Sequence, residues 1–188
     1  RHCPRASELL VETLGIERAV AAGRQIAERR VHGEHVGAAD HELAARLSYF
    51  LWSSMPDDEL SKLADTGKLR DSKTLTTQIN RMLADEKSEA FVRNFAGQWL
   101  GLREVGANPP ASDLYPQYDR HLETSITDES RAFFAEILKH DLSVLNFVGS
   151  DFVVINERLA RFYGIPDVRG DEFRRVAVPE GVHRGGIV

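Results

Sequence analysis

Four charged residues in the C-terminal half have the types that acid–base chemistry requires: Glu129, Asp151, Glu157 and Arg158. Glu129 lies near the apolar stripe of a predicted helix, in line with Ile126 and Phe133, where a leucine is expected. A carboxylate on such a stripe must be paired, hydrogen-bonded or shifted to a higher pKa, and a raised pKa is what a general acid needs. Two alternatives follow for Glu129: a general acid, or the more common buried ion pair with an arginine.

Polar groups also gather between residues 156 and 164. A helix-capping asparagine is followed there by Glu157, Arg158 and Tyr163, which could form the lip of a pocket. The alternative is a capped terminal helix whose apolar residues, Phe162 among them, pack inward.

Gln98, Trp99 and Tyr163 are candidates for ligand binding. Trp99 and Trp52 could stack on sugar rings if their side chains were exposed. At helical spacing beside other aromatic residues, tryptophans more often belong to the core. The sequence contains no glycine-rich phosphate loop, no Gly-x-Ser-x-Gly and no His-Glu-x-x-His, so the common nucleotide-binding and hydrolase mechanisms have no motif here.

Three histidines, His32, His35 and His41, fall within ten residues and could ligate a metal ion. Gly33 and Gly37 indicate a loop without fixed geometry, so solvated surface histidines are the preferred interpretation. Cys3 is the one cysteine, and Cys-x-x-Cys-His is absent, so we predict no metal and no covalently attached haem c in this chain.

The composition describes a chain able to form a sizeable core, since 42% of its 188 residues are hydrophobic. It carries 24 Lys and Arg against 29 Asp and Glu, a net charge of -5, which argues against nucleic acid as a partner. No apolar run reaches the roughly 18 residues of a membrane span. We therefore expect a protein without nucleic-acid partners and without a membrane span in this chain.

Hydrophobic periodicity predicts a mainly α, multi-helix domain with a small β element at the C-terminus. A long proline-rich loop is expected over residues 104–118. Asp40, Pro56, Asp119 and Asn156 each mark a predicted helix start. The expected helices cover about residues 40–51, 56–66, 75–83, 91–100, 119–140 and 157–163, and the expected strand covers residues 173–178.

Several stretches resemble a known family in the same order along the chain: residues 40–60, 91–100, 152–165 and 184–186. They are similar to the helical domain of unknown function numbered 1592, which recurs in large planctomycete proteins that carry a cytochrome c module. The resemblance covers about residues 40–188, so these residues are expected to form the domain, and residues 1–39 match it poorly. Phe162 stands where the family often has a histidine.

The resemblance implies a context and no catalytic residues, because the family has no assigned activity. It implies an exported protein at the periplasm or cell surface, whose partners are neighbouring modules of the same polypeptide and whose full length could carry haem c. Because the chain starts at Arg1 and stops soon after Gly185 and Gly186, we expect a fragment, truncated at a hinge into the next module.

Two functions remain open from the sequence. The first is a helical scaffold or docking module of a larger exported, cytochrome-c-associated protein. The second is a catalytic or binding domain that acts on a carbohydrate or similar polymer.

Overall fold

The computed structural model describes residues 36–179, 181 and 184–187. Over these residues the protein is mainly α-helical with one small antiparallel sheet near its C-terminus, which confirms the predicted fold class. The chain divides into two compact units, whose described parts are residues 36–91 and 92–187.

The first unit contains three helices, α1 (Val36–Trp52), α2 (Asp58–Asp65) and α3 (Ser72–Ala84), followed by a 3-10 turn at Glu86–Ser88. The next helix, α4 (Glu89–Trp99), begins in this unit and ends in the second. Asp57 and Asp71 cap α2 and α3 by accepting hydrogen bonds from the backbone amides three residues later. The helices bury an apolar core that includes Leu47, Leu51, Leu60, Ile79, Met82 and Phe91.

The second unit contains α5 (Arg120–Lys139) and α6 (Glu157–Tyr163), with 3-10 turns at Leu102–Glu104 and Val144–Phe147. Strand β1 (Phe152–Ile155) pairs antiparallel with β2 (Arg174–Ala177), with Phe152 opposite Ala177 and Ile155 opposite Arg174. All four residues of β1 are buried. Val153 and Ile155 belong to a core shared with α5 and α6, whose other buried members include Leu122, Leu159, Ile165 and Val168.

The first helix begins earlier than predicted, so Asp40 is not its cap. Asp40 lies inside α1 and is fully buried. Its carboxylate accepts a hydrogen bond of 3.1 Å from the amide of Leu69 and forms an ion pair with Arg70. A long-range partner therefore explains this aspartate, whereas the capping rule considers only the local sequence.

The β element is also larger than predicted. The sequence predicts one strand, at residues 173–178, yet residues 152–155 form the partner strand of residues 174–177. A four-residue apolar run does not distinguish a strand from other buried segments, because pairing is decided by residues far away in sequence.

None of the α-helices in the described part of the chain combines the length and the apolar run needed to cross a bilayer.

Candidate functional site

Glu129 and Tyr163 meet in the second unit, where α5 and α6 pack together. The hydroxyl of Tyr163 donates a hydrogen bond of 2.5 Å to Oε2 of Glu129, and both residues are partly buried. The hydrogen-bond donor to Glu129 is therefore a phenol.

Asn156 positions α6 for this contact. Its side-chain oxygen caps α6 by accepting from the amide of Leu159 at 3.0 Å, while its Nδ2 donates to Oγ of Ser125 on α5 at 3.0 Å. Asn156 and Ser125 are each 2% exposed, so the cap also ties the two helices together inside the core. Gly164, with a φ of 73°, ends α6 directly after Tyr163.

Arg184 joins this pair from the C-terminal segment. Its guanidinium lies 4.2 Å from the centroid of the Tyr163 ring, within cation–π range. A carboxylate, a phenol and a guanidinium from three parts of the second unit are thus brought together. We call these three side chains the Glu129–Tyr163–Arg184 group.

Burial dominates the electrostatics of this group. Desolvation raises the pKa of Glu129 above its ordinary value, although the hydrogen bond from Tyr163 and the charge of Arg184 act in the opposite direction. Desolvation and the neighbouring carboxylate also raise the pKa of Tyr163. Chemically, Glu129 is a carboxyl group that holds its proton to higher pH than a solvated glutamate, the property sought in a general acid.

Glu157 holds a loop of the same unit. Its Oε2 accepts a hydrogen bond of 2.6 Å from the amide of Gly170, and its own amide donates to the carbonyl of Gly170 at 2.9 Å. It also forms an ion pair with Arg161. The backbone hydrogen bond from Gly170 is the largest factor that lowers the pKa of Glu157, so this carboxylate stays ionised.

Arg158 and Asp151 also make contacts within the fold. Arg158 donates from Nη2 to the carbonyl of Gln117 at 2.5 Å and pairs with Asp119, the cap of α5, at 3.1 Å. Asp151 is exposed, and its carbonyl accepts from the amide of Val178 at 2.9 Å, which extends the ladder of the small sheet. Within the described residues, no hydrogen bond or ion pair joins any two of Glu129, Asp151, Glu157 and Arg158.

The two tryptophans have different environments. Trp52 is 4% exposed in the first unit, and its Nε1 donates to the carbonyl of Met82 at 2.9 Å. Trp99 is 47% exposed in the second unit, and its ring lies 5.4 Å from that of Phe147. Gln98, next to Trp99, is exposed as well.

Trp99 is one of several apolar side chains that the second unit leaves open to solvent. Leu145 and Val148 are 60% and 70% exposed on the turn that holds Phe147. They are three residues apart, a spacing that places side chains on the same side of a 3-10 turn. We call the exposed Trp99, Leu145 and Val148, together with the partly buried Phe147, the exposed apolar surface.

The metal prediction is tested only in part. His32 and His35 lie outside the residues that the structure describes, whereas Nε2 of His41 lies 3.0 Å from Oδ1 of Asp65. In the part of the chain that is described, no three His, Cys, Asp or Glu side chains are grouped as a metal site would require.

Two features of the second unit escaped prediction from the sequence. Phe162 is 41% exposed, so the α6 helix does not pack this residue inward as expected. Arg184 was not identified as a site residue, although the Arg-Gly-Gly stretch that contains it was already part of the family resemblance.

The fold and these contacts define a mainly helical domain. Its candidate residues Glu129, Glu157 and Arg158 make their hydrogen bonds within the second unit. Residues 39–165 match the family described as PSD4, protein of unknown function (DUF1592), and the chain belongs to this family. The match confirms the resemblance found in the sequence, and the family description assigns no activity. No curated protein and no solved structure matches the chain.

Proposed function

We propose that this chain is a helical scaffold and docking module of a larger exported protein, and that it docks through the exposed apolar surface of its second unit. The observation that carries the proposal is the exposure of Trp99, Leu145 and Val148 at 47%, 60% and 70%. Contiguous apolar side chains on a protein surface mark sites of interaction, because leaving them in water forgoes their burial energy.

The polar candidates support a structural role. Glu157 fixes the loop at Gly170, and Arg158 fixes the carbonyl of Gln117 and the α5 cap. These interactions hold loops against α5 and α6, and α5 itself contacts the turn at residues 144–147. A rigid support is what a docking surface requires, since ordering a mobile surface on binding costs free energy.

The proposed occupant of the surface is a neighbouring module of the same polypeptide. The family resemblance supports this choice, because such domains recur in large proteins with a cytochrome c module. Haem c would belong to that neighbour, since this chain has one cysteine and lacks the attachment motif. The periplasm or cell surface is the corresponding location.

The test measures binding of this chain to the remaining segments of its complete reading frame, produced as separate polypeptides. Leu145→Asp with Val148→Asp places two charges on the exposed apolar surface, and we expect binding at least about tenfold weaker. Leu114→Asp is the matched control, because Leu114 is 72% exposed in the proline-rich loop and its substitution should leave binding unchanged. Equal loss in both variants, or no binding by the unmodified chain, contradicts the docking proposal.

Glu129 favours a second candidate function, a domain acting on a carbohydrate or similar polymer. Its raised pKa suits a general acid that protonates a leaving oxygen. Hydrolysis of chromogenic polysaccharides by the purified chain, abolished by Glu129→Gln, would support this candidate. Hydrolysis that survives Glu129→Gln, or no hydrolysis, rejects Glu129 as the acid.

A further inference from the structure

We propose that Glu129, Tyr163 and the backbone of residues 147–150 form a binding site for an extended Arg-Gly-Gly peptide, which residues 184–187 of the same chain fill in this structure. The ligand class is a peptide that presents a guanidinium followed by two glycines. The site uses the backbone of Phe147 and Val148, whose side chains belong to the exposed apolar surface, but the proposal does not rest on the docking function.

The site offers the arginine of the peptide two groups that bind guanidinium ions, an aromatic ring and a carboxylate. The ring of Tyr163 supplies an aromatic face 4.2 Å from the guanidinium carbon of Arg184. Glu129, hydrogen-bonded to the same tyrosine, supplies a negative charge close enough to interact with Arg184. An arginine is favoured over a lysine here because its planar group can stack on the ring.

The two glycines fit where no larger residue can. A Cβ at Gly186 would lie 2.7 Å from the carbonyl oxygen of Phe147, and a Cβ at Gly185 would overlap the carbonyl oxygen of Ser150. Their φ angles of 136° and 82° are also ones that L residues rarely adopt. Both space and backbone conformation therefore select glycine at these positions.

The peptide backbone is held as well. The amide of Ile187 donates a hydrogen bond of 2.8 Å to the carbonyl of Phe147. The peptide therefore makes three types of contact: a cation–π contact by Arg184, close backbone packing by the two glycines, and a backbone hydrogen bond by Ile187. Together these contacts favour the Arg-Gly-Gly sequence in an extended conformation. The two glycines, expected at a hinge, are in close contact with the preceding turn.

The site and the peptide that fills it lie on opposite sides of the end of the family match, at residue 165. Glu129, Tyr163 and residues 147–150 fall inside residues 39–165, which match the family, whereas residues 184–187 lie beyond the match. The receptor residues thus lie within the matched part of the chain, and the segment that fills the site follows later in the sequence. A separate peptide with the same sequence should therefore be able to occupy it.

The experiment uses full-length chain with Arg184→Ala, Gly185→Ala and Gly186→Ala, which empties the site, and a fluorescein-labelled peptide containing Arg-Gly-Gly-Ile. We expect saturable binding by fluorescence anisotropy to this variant and at least about tenfold weaker binding to the unmodified chain. The tethered segment competes there at an effective concentration on the order of millimolar. Peptides containing Ala-Gly-Gly-Ile or Arg-Ala-Ala-Ile are the matched controls and should not bind. Adding Tyr163→Leu to the emptied variant should abolish binding of the Arg-Gly-Gly-Ile peptide.

Three results overturn the proposal: no binding of the Arg-Gly-Gly-Ile peptide to a folded emptied variant, equal binding of the control peptides, or binding that survives Tyr163→Leu. Should the triple variant fail to fold by circular dichroism, hydrogen exchange on the single variant Arg184→Ala decides. Faster exchange at the amide of Ile187 than in the unmodified chain supports an arginine-dependent site, and unchanged exchange refutes it.

Discussion

The hydroxyl of Tyr163 lies 2.5 Å from Oε2 of Glu129 and donates to it, joining α6 to α5 within the second unit. This contact joins a partly buried carboxylate to a phenol donor, and the guanidinium carbon of Arg184 lies 4.2 Å from the centroid of the tyrosine ring. Removing the hydroxyl oxygen of Tyr163 therefore tests both the packing of α6 on α5 and the electrostatics of Glu129.

Tyr163→Phe should lower the free energy of unfolding by about 1 kcal/mol, because it leaves the Glu129 carboxylate without its phenol donor. Urea unfolding followed by circular dichroism measures this as a lower midpoint with an unchanged slope. Phe162→Leu is the matched control on the same helix, since Phe162 is 41% exposed and its replacement should change stability less. Equal loss in the two variants contradicts a specific role for the hydroxyl.

Glu129→Gln should make stability less dependent on pH. Burial raises the pKa of Glu129 in the folded state above its ordinary value of 4.5. The folded protein therefore binds this proton more tightly than the unfolded chain, so the resulting stability is complete below the ordinary pKa and is lost as pH rises through the folded pKa. Glutamine cannot ionise, so the stability of Glu129→Gln relative to the unmodified chain should improve as the pH rises above 4.5, the ordinary pKa of the carboxyl group. Parallel stability curves for the two proteins over this range argue against the raised pKa.

Much of the second unit could be predicted because its signals are local. Asp119 and Asn156 mark predicted helix starts, and the side chain of each accepts a hydrogen bond from a nearby amide. The apolar period of 3.6 residues likewise located the helices, because each buries one face. Caps and amphipathic faces depend on residues a few positions apart, which is the range that one sequence reveals.

The parts that could not be predicted depend on distant residues. The pairing of β1 with β2, the burial of Asp40 against Leu69 and Arg70, and the Tyr163 partner of Glu129 all join residues that are distant in the sequence. The exposure of Trp99 is similar, since an aromatic residue on a helical stripe has the same pattern whether or not another element covers it. The candidate site residues were thus found individually, whereas their contacts required the fold.

Asn156→Ala should destabilise the protein by about 2 kcal/mol, because it removes the α6 cap and leaves the buried hydroxyl of Ser125 without its amide donor. Asn156→Asp is the informative control, since aspartate retains the capping oxygen and loses the donor to Ser125. Urea unfolding should place Asn156→Asp between the unmodified chain and Asn156→Ala. An alanine variant as stable as the unmodified chain contradicts this role.

Asp40→Ala should lower the free energy of unfolding by about 3 kcal/mol, since it removes a buried carboxylate that accepts from Leu69 and pairs with Arg70. Asp40→Asn keeps an acceptor for the Leu69 amide and should lose less. Had Asp40 been an exposed helix cap, alanine would cost only about 1 kcal/mol. Thermal or urea unfolding distinguishes the two values.

Site-specific photo-crosslinking in the complete polypeptide tests the docking claim most directly. A benzophenone amino acid is placed at position 145 in one preparation and at position 114 in another, both of which are exposed leucines. Docking predicts that irradiation joins position 145, and not position 114, to a neighbouring module in peptides identified by mass spectrometry. Crosslinks from position 145 only to its own domain, or equal crosslinking from both positions, would contradict a docking module that uses the exposed apolar surface.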